Sequence, residues 1–261
     1  MPTTTLSWVP GKAGRLRVEE SGAGRTPVLL VHGNGGDRTH WAATLPHLAR
    51  DRRTVCFDLR GMGESDAPSD NSYALDALVD DVTLVADGLG LGRFILVGHS
   101  FGGTVVAAAC RRIPERLAGV LFLDAGGDLR GVPLEAQKTW RLGFEPDRFQ
   151  DTVRTWFMQL LTPASPETRT HVLETLARTS RAAYVGATEE LFTFDPAGAI
   201  RCFGGPKALL SVLSLDSPLS LRHTVPELPC EFIDGVSHWL QLDRPEAVNQ
   251  VLDRFLASIP G

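Results

Sequence analysis

Cysteine is sparse and scattered. The four residues, Cys56, Cys110, Cys202 and Cys230, form no Cys-x-x-Cys pair, so neither the spacing of a zinc site nor that of a redox pair is present. They are expected as buried free thiols in a reducing compartment. Lysine is nearly absent: Lys12, Lys138 and Lys207 are the only three, and the other basic residues are arginine. No block of them stands out and the net charge is −5, so nucleic acid is not an expected partner. No stretch approaches the roughly 20 apolar residues that span a membrane. The N-terminal Met-Pro-Thr-Thr-Thr lacks the charged start and apolar run of a secretory signal. A cytoplasmic protein that does not engage a membrane is expected. No internal repeat is evident. The glycines at 33, 35 and 36 do not spell Gly-x-Gly-x-x-Gly, which removes the dinucleotide-binding reading. No cofactor and no metal are expected.

What is present reads as one α/β domain with an insertion. The length of 261 residues and a 43% hydrophobic fraction suffice for a large core without disulfide or metal support. Four short apolar runs, Val28-Leu29-Leu30-Val31, Thr54-Val55-Cys56-Phe57, Phe94-Ile95-Leu96-Val97 and Val120-Leu121-Phe122-Leu123, do not alternate with polar residues. Such runs suit strands covered on both faces of a parallel sheet. Between them, Leu78, Val79, Val82, Val85, Ala86 and Leu89 recur at helical spacing. Residues 5–9 and 15–20, joined by Gly-Lys-Ala-Gly, read as a hairpin. The chain closes with a strand at 230–233 and a helix whose buried face is Val248, Val251, Leu252 and Phe255. Asp243 and Glu246 have the spacing of a capping box for it. From about 130 to 200 the rhythm breaks into proline-punctuated helical segments carrying Trp140 and Trp156. This insertion either packs its own small core or forms an apolar lid over a pocket.

Two loops carry chemistry. The run at 94–97 leads into Gly98-His99-Ser100-Phe101-Gly102-Gly103 and then a helical pattern. This is Gly-x-Ser-x-Gly between a strand and a helix, where a serine at the tip of a sharp turn projects from the sheet. Glycine is required because the two backbones come very close, and the following helix aims its positive end at the same point. The run at 28–31 leads into His32-Gly33-Asn34-Gly35-Gly36, a loop able to present bare N–H groups to a developing oxyanion. The N–H groups of Asn34 and Phe101 are the expected donors, with His32 bracing the loop.

These two loops, together with Asp58-Leu59-Arg60-Gly61-Met62-Gly63-Glu64-Ser65 and Val236-Ser237-His238-Trp239, resemble the α/β-hydrolase fold superfamily, in its order and over the whole chain. The resemblance implies a mostly parallel central sheet flanked by helices. It implies a core domain at 1–129 and 201–261, with a helical cap at 130–200 inserted after the sixth strand. It places the base at His238, after the last strand, and an acid between serine and histidine in chain order. Asp216, after the seventh strand, is favoured, although Leu213 stands where the family tends to have glycine. Asp124, ending the sixth strand, is the alternative. Asp58 and Arg60 are expected to pin loops. Activity is expected to rise with pH as the histidine base loses its proton.

The expected reaction is hydrolysis of a carboxylic ester with a small to medium, apolar acyl group, through an acyl-Ser100 intermediate. Trp41 and Trp239 flank the motifs and are candidate substrate-binding residues. Relatives that open epoxides or remove halogens use an aspartate nucleophile, which Ser100 argues against. A carbon–carbon bond hydrolase, a lactonase and a cofactor-free perhydrolase share the same triad and remain open. So does a small-molecule sensor on this fold. The expected partner is a small molecule, and the chain is expected as a monomer or homodimer.

Overall fold

A computed structural model describes residues 3–259. Eight strands form one sheet in the order β1-β2-β4-β3-β5-β6-β7-β8. The first two, β1 (Thr4–Pro10) and β2 (Arg15–Ser21), are the expected hairpin. β2 also runs antiparallel to β4 (Arg52–Phe57). From there the sheet is parallel: β3 (Arg25–Val31), β5 (Phe94–His99), β6 (Leu117–Leu123), β7 (Lys207–Val212) and β8 (Cys230–Ile233). The fold is that of the α/β hydrolases.

The central strands are apolar because both faces are covered. Every residue of β5 is buried. On one face, α2 (Leu75–Gly88) and α3 (Phe101–Arg112) pack Val82, Val85 and Val105 against Leu96 and Phe122. On the other, α1 (Thr44–Leu48) and the final helix contribute Leu45, Leu48, Val248 and Leu252 against Ile95 and Val97. The loop at 58–65 pins this frame. Asp58 accepts from Arg38 and from the Glu64 N–H, and Arg60 forms a buried pair with Asp81 of α2 at 2.6 Å.

Between β6 and β7 lie α4 (Leu134–Gly143), α5 (Phe149–Leu160), α6 (Pro166–Arg178), α7 (Arg181–Glu190) and α8 (Pro196–Arg201). The first four share a separate aromatic core of Phe144, Phe149, Phe157 and Tyr184. α8 does not join it. Ala199 and Ile200 are buried with Val105 in the main core, and α7 spans both cores, with Ala183 and Ala187 in the main one and Tyr184 in the aromatic one.

The last segment holds α9 (Leu221–Thr224), α10 (Leu240–Asp243) and α11 (Pro245–Ala257). The capping box expected for α11 does not form. Pro245 occupies the first turn, where its missing N–H costs nothing, and Asp243 accepts from the Ser237 N–H at 2.7 Å instead. The four cysteines are free thiols; Cys56 and Cys110 are buried, Cys230 is half-buried, and Cys202 is exposed beyond α8, against expectation. No described helix is long and apolar enough to cross a membrane.

Candidate active site

Ser100 sits between β5 and α3 with φ 54° and ψ −122°. A non-glycine residue with positive φ is strained, and here the turn is held from both sides. The Ser100 N–H donates to Leu123 O at 2.9 Å, and the Gly103 N–H donates to Ser100 O at 2.8 Å. A Cβ on Gly98 would lie 2.3 Å from Gly102 O, and one on Gly102 would lie 2.3 Å from Val31 O. Both glycines of the motif are therefore required by backbone approach.

The loop after β3 lies against this turn. A Cβ on Gly33 would come within 3.0 Å of Ser100 Cβ. His32 is buried and braces the loop: its Nε2 accepts from the Leu59 N–H at 2.9 Å, and its Nδ1 lies 2.8 Å from Gly33 O. Asn34 points its side chain into the cap, with Nδ2 donating to Tyr184 O at 2.9 Å and Thr188 Oγ1 at 3.0 Å. Phe101 is the first residue of α3 and is buried.

His238 follows β8, and its Nδ1 bonds Asp124 Oδ2 at 2.6 Å. The other carboxylate oxygen of Asp124 accepts from Ser211 Oγ at 3.1 Å and the Val212 N–H at 3.0 Å. Burial by itself would raise this carboxyl. The bond from His238, its charge and the Val212 N–H outweigh burial and hold Asp124 below the ordinary carboxylate value. Asp124 thus stays an anion facing the imidazole.

Asp216, the favoured acid on sequence, is not brought to His238. Its carboxylate is taken by Arg222 at 2.8 Å and His223 at 3.2 Å, both on α9. Strand pairing places Asp124. Leu123 is the register partner of His99, the residue before the nucleophile, so the residue after β6 emerges beside Ser100. β7 lies one strand further out, and its continuation turns toward α9.

Ser100, His99 and His238 border one cavity of about 460 Å³, roofed by Trp140 of α4, Trp156 and Phe157 of α5, and Tyr184 of α7. Trp239 lines it too, 5.1 Å from Phe157 between ring centroids. Among the described residues, its lining includes no arginine, lysine, aspartate or glutamate. Trp41 does not reach it. That ring is fully buried on the other side with Leu45, Leu48 and Leu240. The cap residues Tyr184 and Thr188 were not singled out by sequence, since nothing in a helical pattern says which face meets a cavity. Ser100 Oγ and His238 form no hydrogen bond with each other in this structure. Catalytic hydrogen bonds commonly tighten only when substrate is bound.

The loop that bears His238 is held by its peptide as well as its ring. The His238 N–H donates to Leu160 O, at the end of cap helix α5, at 3.3 Å. The His238 carbonyl accepts from His99 Nε2 at 2.8 Å.

Comparison with known proteins agrees with this fold. A family described as alpha/beta hydrolase fold matches residues 26–186. The chain is 25% identical to 2-hydroxymuconate semialdehyde hydrolase of Pseudomonas sp. (strain CF600), over 93% of this chain and 90% of that protein. It is 26% identical to epoxide hydrolase 4 of Mus musculus, over 89% of this chain and 73% of that one. Among solved structures it resembles a thermophilic esterase from Thermogutta terrifontis, with TM-score 0.81 and 24% identity, covering 97% of this chain and 98% of the other.

Proposed function

Since this chain belongs to the alpha/beta hydrolase fold family, we propose that it is a serine hydrolase of carboxylic esters with a small to medium, apolar acyl group. The observation that carries this reading is the Asp124–His238 pair at 2.6 Å beside a strained Ser100, under an aromatic cavity whose lining, among the described residues, includes no arginine, lysine, aspartate or glutamate.

With Nδ1 committed to Asp124, Nε2 of His238 is the nitrogen left to take the Ser100 proton. Ser100 Oγ attacks the ester carbonyl carbon, and the oxygen that becomes negative is received by the N–H groups of Asn34 and Phe101. As the tetrahedral intermediate collapses, the bond to the alkoxy oxygen breaks and His238 gives that oxygen its proton. A water then gives a proton to His238 and adds to the acyl carbon. Collapse releases the carboxylic acid and returns the proton to Ser100. Asp124 stays ionised and stabilises the imidazolium in each half. Trp239, Trp156 and Phe157 supply apolar contact for the acyl chain. The chain needs no partner for this chemistry beyond its small-molecule substrate.

Carbon–carbon bond hydrolysis is the second reading, favoured by similarity along nearly the whole chain to the semialdehyde hydrolase. A dienoate such as the one in the name of another relative, the 2-hydroxy-6-oxo-2,4-heptadienoate hydrolase of Pseudomonas putida, carries a carboxylate. A cavity without a cationic side chain suits a neutral ester better. A panel of p-nitrophenyl esters beside a vinylogous diketone separates the two. Wild type is expected to hydrolyse the esters and to be labelled by a fluorophosphonate at Ser100. Ser100→Ala is expected to lose both, with at least a 10³-fold fall in kcat. Hydrolysis retained by Ser100→Ala would remove the serine mechanism, and an unlabelled Ser100 in a folded, inactive protein would favour a sensor.

A further inference from the structure

His99 precedes the nucleophile in sequence and is 1% exposed. Its Nε2 lies 2.8 Å from the carbonyl oxygen of His238, and its ring centroid is 4.8 Å from that of His238. A carbonyl only accepts, so Nε2 carries the hydrogen. Nδ1 is buried with no partner, against Gly33, where a Cβ would approach it to 3.1 Å. A hydrogen on Nδ1 would be a buried donor with nothing to bond. The surroundings therefore select one neutral tautomer.

We propose that His99 is a positioning residue, a neutral imidazole that holds the peptide of the base His238 at a fixed place relative to the nucleophile turn. The proposal rests on the reading of Ser100 and His238 as nucleophile and base. The chain of restraint is short. His99 and Ser100 are neighbours on one rigid turn, so a hydrogen bond from His99 to the His238 carbonyl ties the base to the nucleophile's own backbone. Asp124 fixes the rotation of the His238 ring through Nδ1. The Leu160 carbonyl holds the His238 N–H from the cap side. Of these three restraints, the one from His99 is carried by the residue joined covalently to Ser100, while the one from Asp124 reaches it through the Ser100 N–H to Leu123 O bond. Burial, with the nearby His238 adding to it, pushes the His99 imidazole down to about 3, so the donor persists across any working pH. Asp124, His32 and His40 are the other titratable groups that act on it.

The test compares His99→Phe, which keeps the ring and loses the donor, with His99→Gln, which keeps an N–H at similar reach. Rates are measured on a p-nitrophenyl ester and normalised to active sites titrated with a fluorophosphonate. His99→Phe is expected to lower kcat about tenfold to a hundredfold with KM within twofold, as a misplaced base does. His99→Gln is expected to recover to within about fivefold of wild type. A kcat for His99→Phe within twofold of wild type, or equal losses in both variants, overturns the proposal. Nitrogen NMR of the wild-type protein gives a second reading that needs no variant. The His99 ring is expected as the Nε2–H tautomer without titration from pH 8 to 5, and an Nδ1–H tautomer or a titration in that range overturns the assignment. Retained hydrolysis in Ser100→Ala would instead remove the serine mechanism, and would leave this tautomer measurement standing.

Discussion

Each side chain of the site does one job that its neighbours define. Asp124 has both carboxylate oxygens engaged, one by His238 and the other by Ser211 and Val212. Replacing it with asparagine removes the anion that stabilises the imidazolium and admits the wrong tautomer. Asp124→Asn is expected to lower kcat by about 10³–10⁴-fold, whereas Asp216→Asn, which loses only contacts to Arg222 and His223, is expected to stay within twofold. Steady-state kinetics of the two variants decide between the carboxylates, and the reverse order would restore Asp216. This pair also marks the limit of what sequence tells at this scale. The turn at Ser100 and the loop at Asn34 were legible as turns because close backbone approach forces glycines into fixed positions around them. The two aspartates both satisfy the chain order and both follow an apolar run. What separates them is which carboxylate meets His238 and which is taken by Arg222 and His223, tertiary contacts that no local pattern carries. Trp41 and Trp239 illustrate the same limit. Both sit next to motif residues, but one ring turns to the cavity and the other into the core against Leu45 and Leu240.

At the scale of elements, the cap is fastened to the loops that bear the chemistry. α5 bonds the base loop through Leu160, and α7 receives Asn34. α6 turns His171, Thr175 and Arg178, spaced for one helix face, onto Thr39, His40 and Asp37. The insertion and its helical character were legible from the proline-punctuated pattern. It has no sharp edge for such a pattern to mark, because α7 faces both cores and α8 packs into the main one. The cap also sets how far a substrate extends. Trp140 and Trp156 meet at 5.8 Å, near edge-on, at the roof. Trp156→Ala opens that roof, and the optimum acyl chain is expected to lengthen by two or more carbons. Each added methylene that finds apolar contact is worth about 0.8 kcal/mol, roughly fourfold in kcat/KM. A p-nitrophenyl ester series reads the shift directly, and an unchanged optimum would mean that the acyl chain does not point toward α5.

Across the whole molecule, three buried histidines bias folding against acid. His32, His40 and His99 are all held below the ordinary imidazole value, chiefly by burial. Unfolded, each gains a proton as pH falls through about 6.5; folded, each gains it only at lower pH. The folded protein then binds fewer protons than the unfolded chain, so stability is lost as pH falls below about 6.5, by up to about 1.4 kcal/mol per pH unit for each histidine. For His99 the loss continues down to about 3. Asp124, held low, adds a loss of the same sign below about 3.9, where an ordinary aspartate takes its proton. The urea midpoint is therefore expected to fall steeply between pH 7 and pH 5, and a flat midpoint over that range would contradict the burial of these rings. The general layout, a parallel sheet with a hairpin edge, was legible because non-alternating apolar runs admit few other arrangements. Which residues meet across it was not. On the proposed reading Asp124 is the acid, and residues 213–220 then carry no group of the reaction. A lineage could alter Asp216 without touching that chemistry, while Leu219, whose carbonyl accepts from the Gly127 N–H at 2.8 Å, stays tied to the chain that leaves β6.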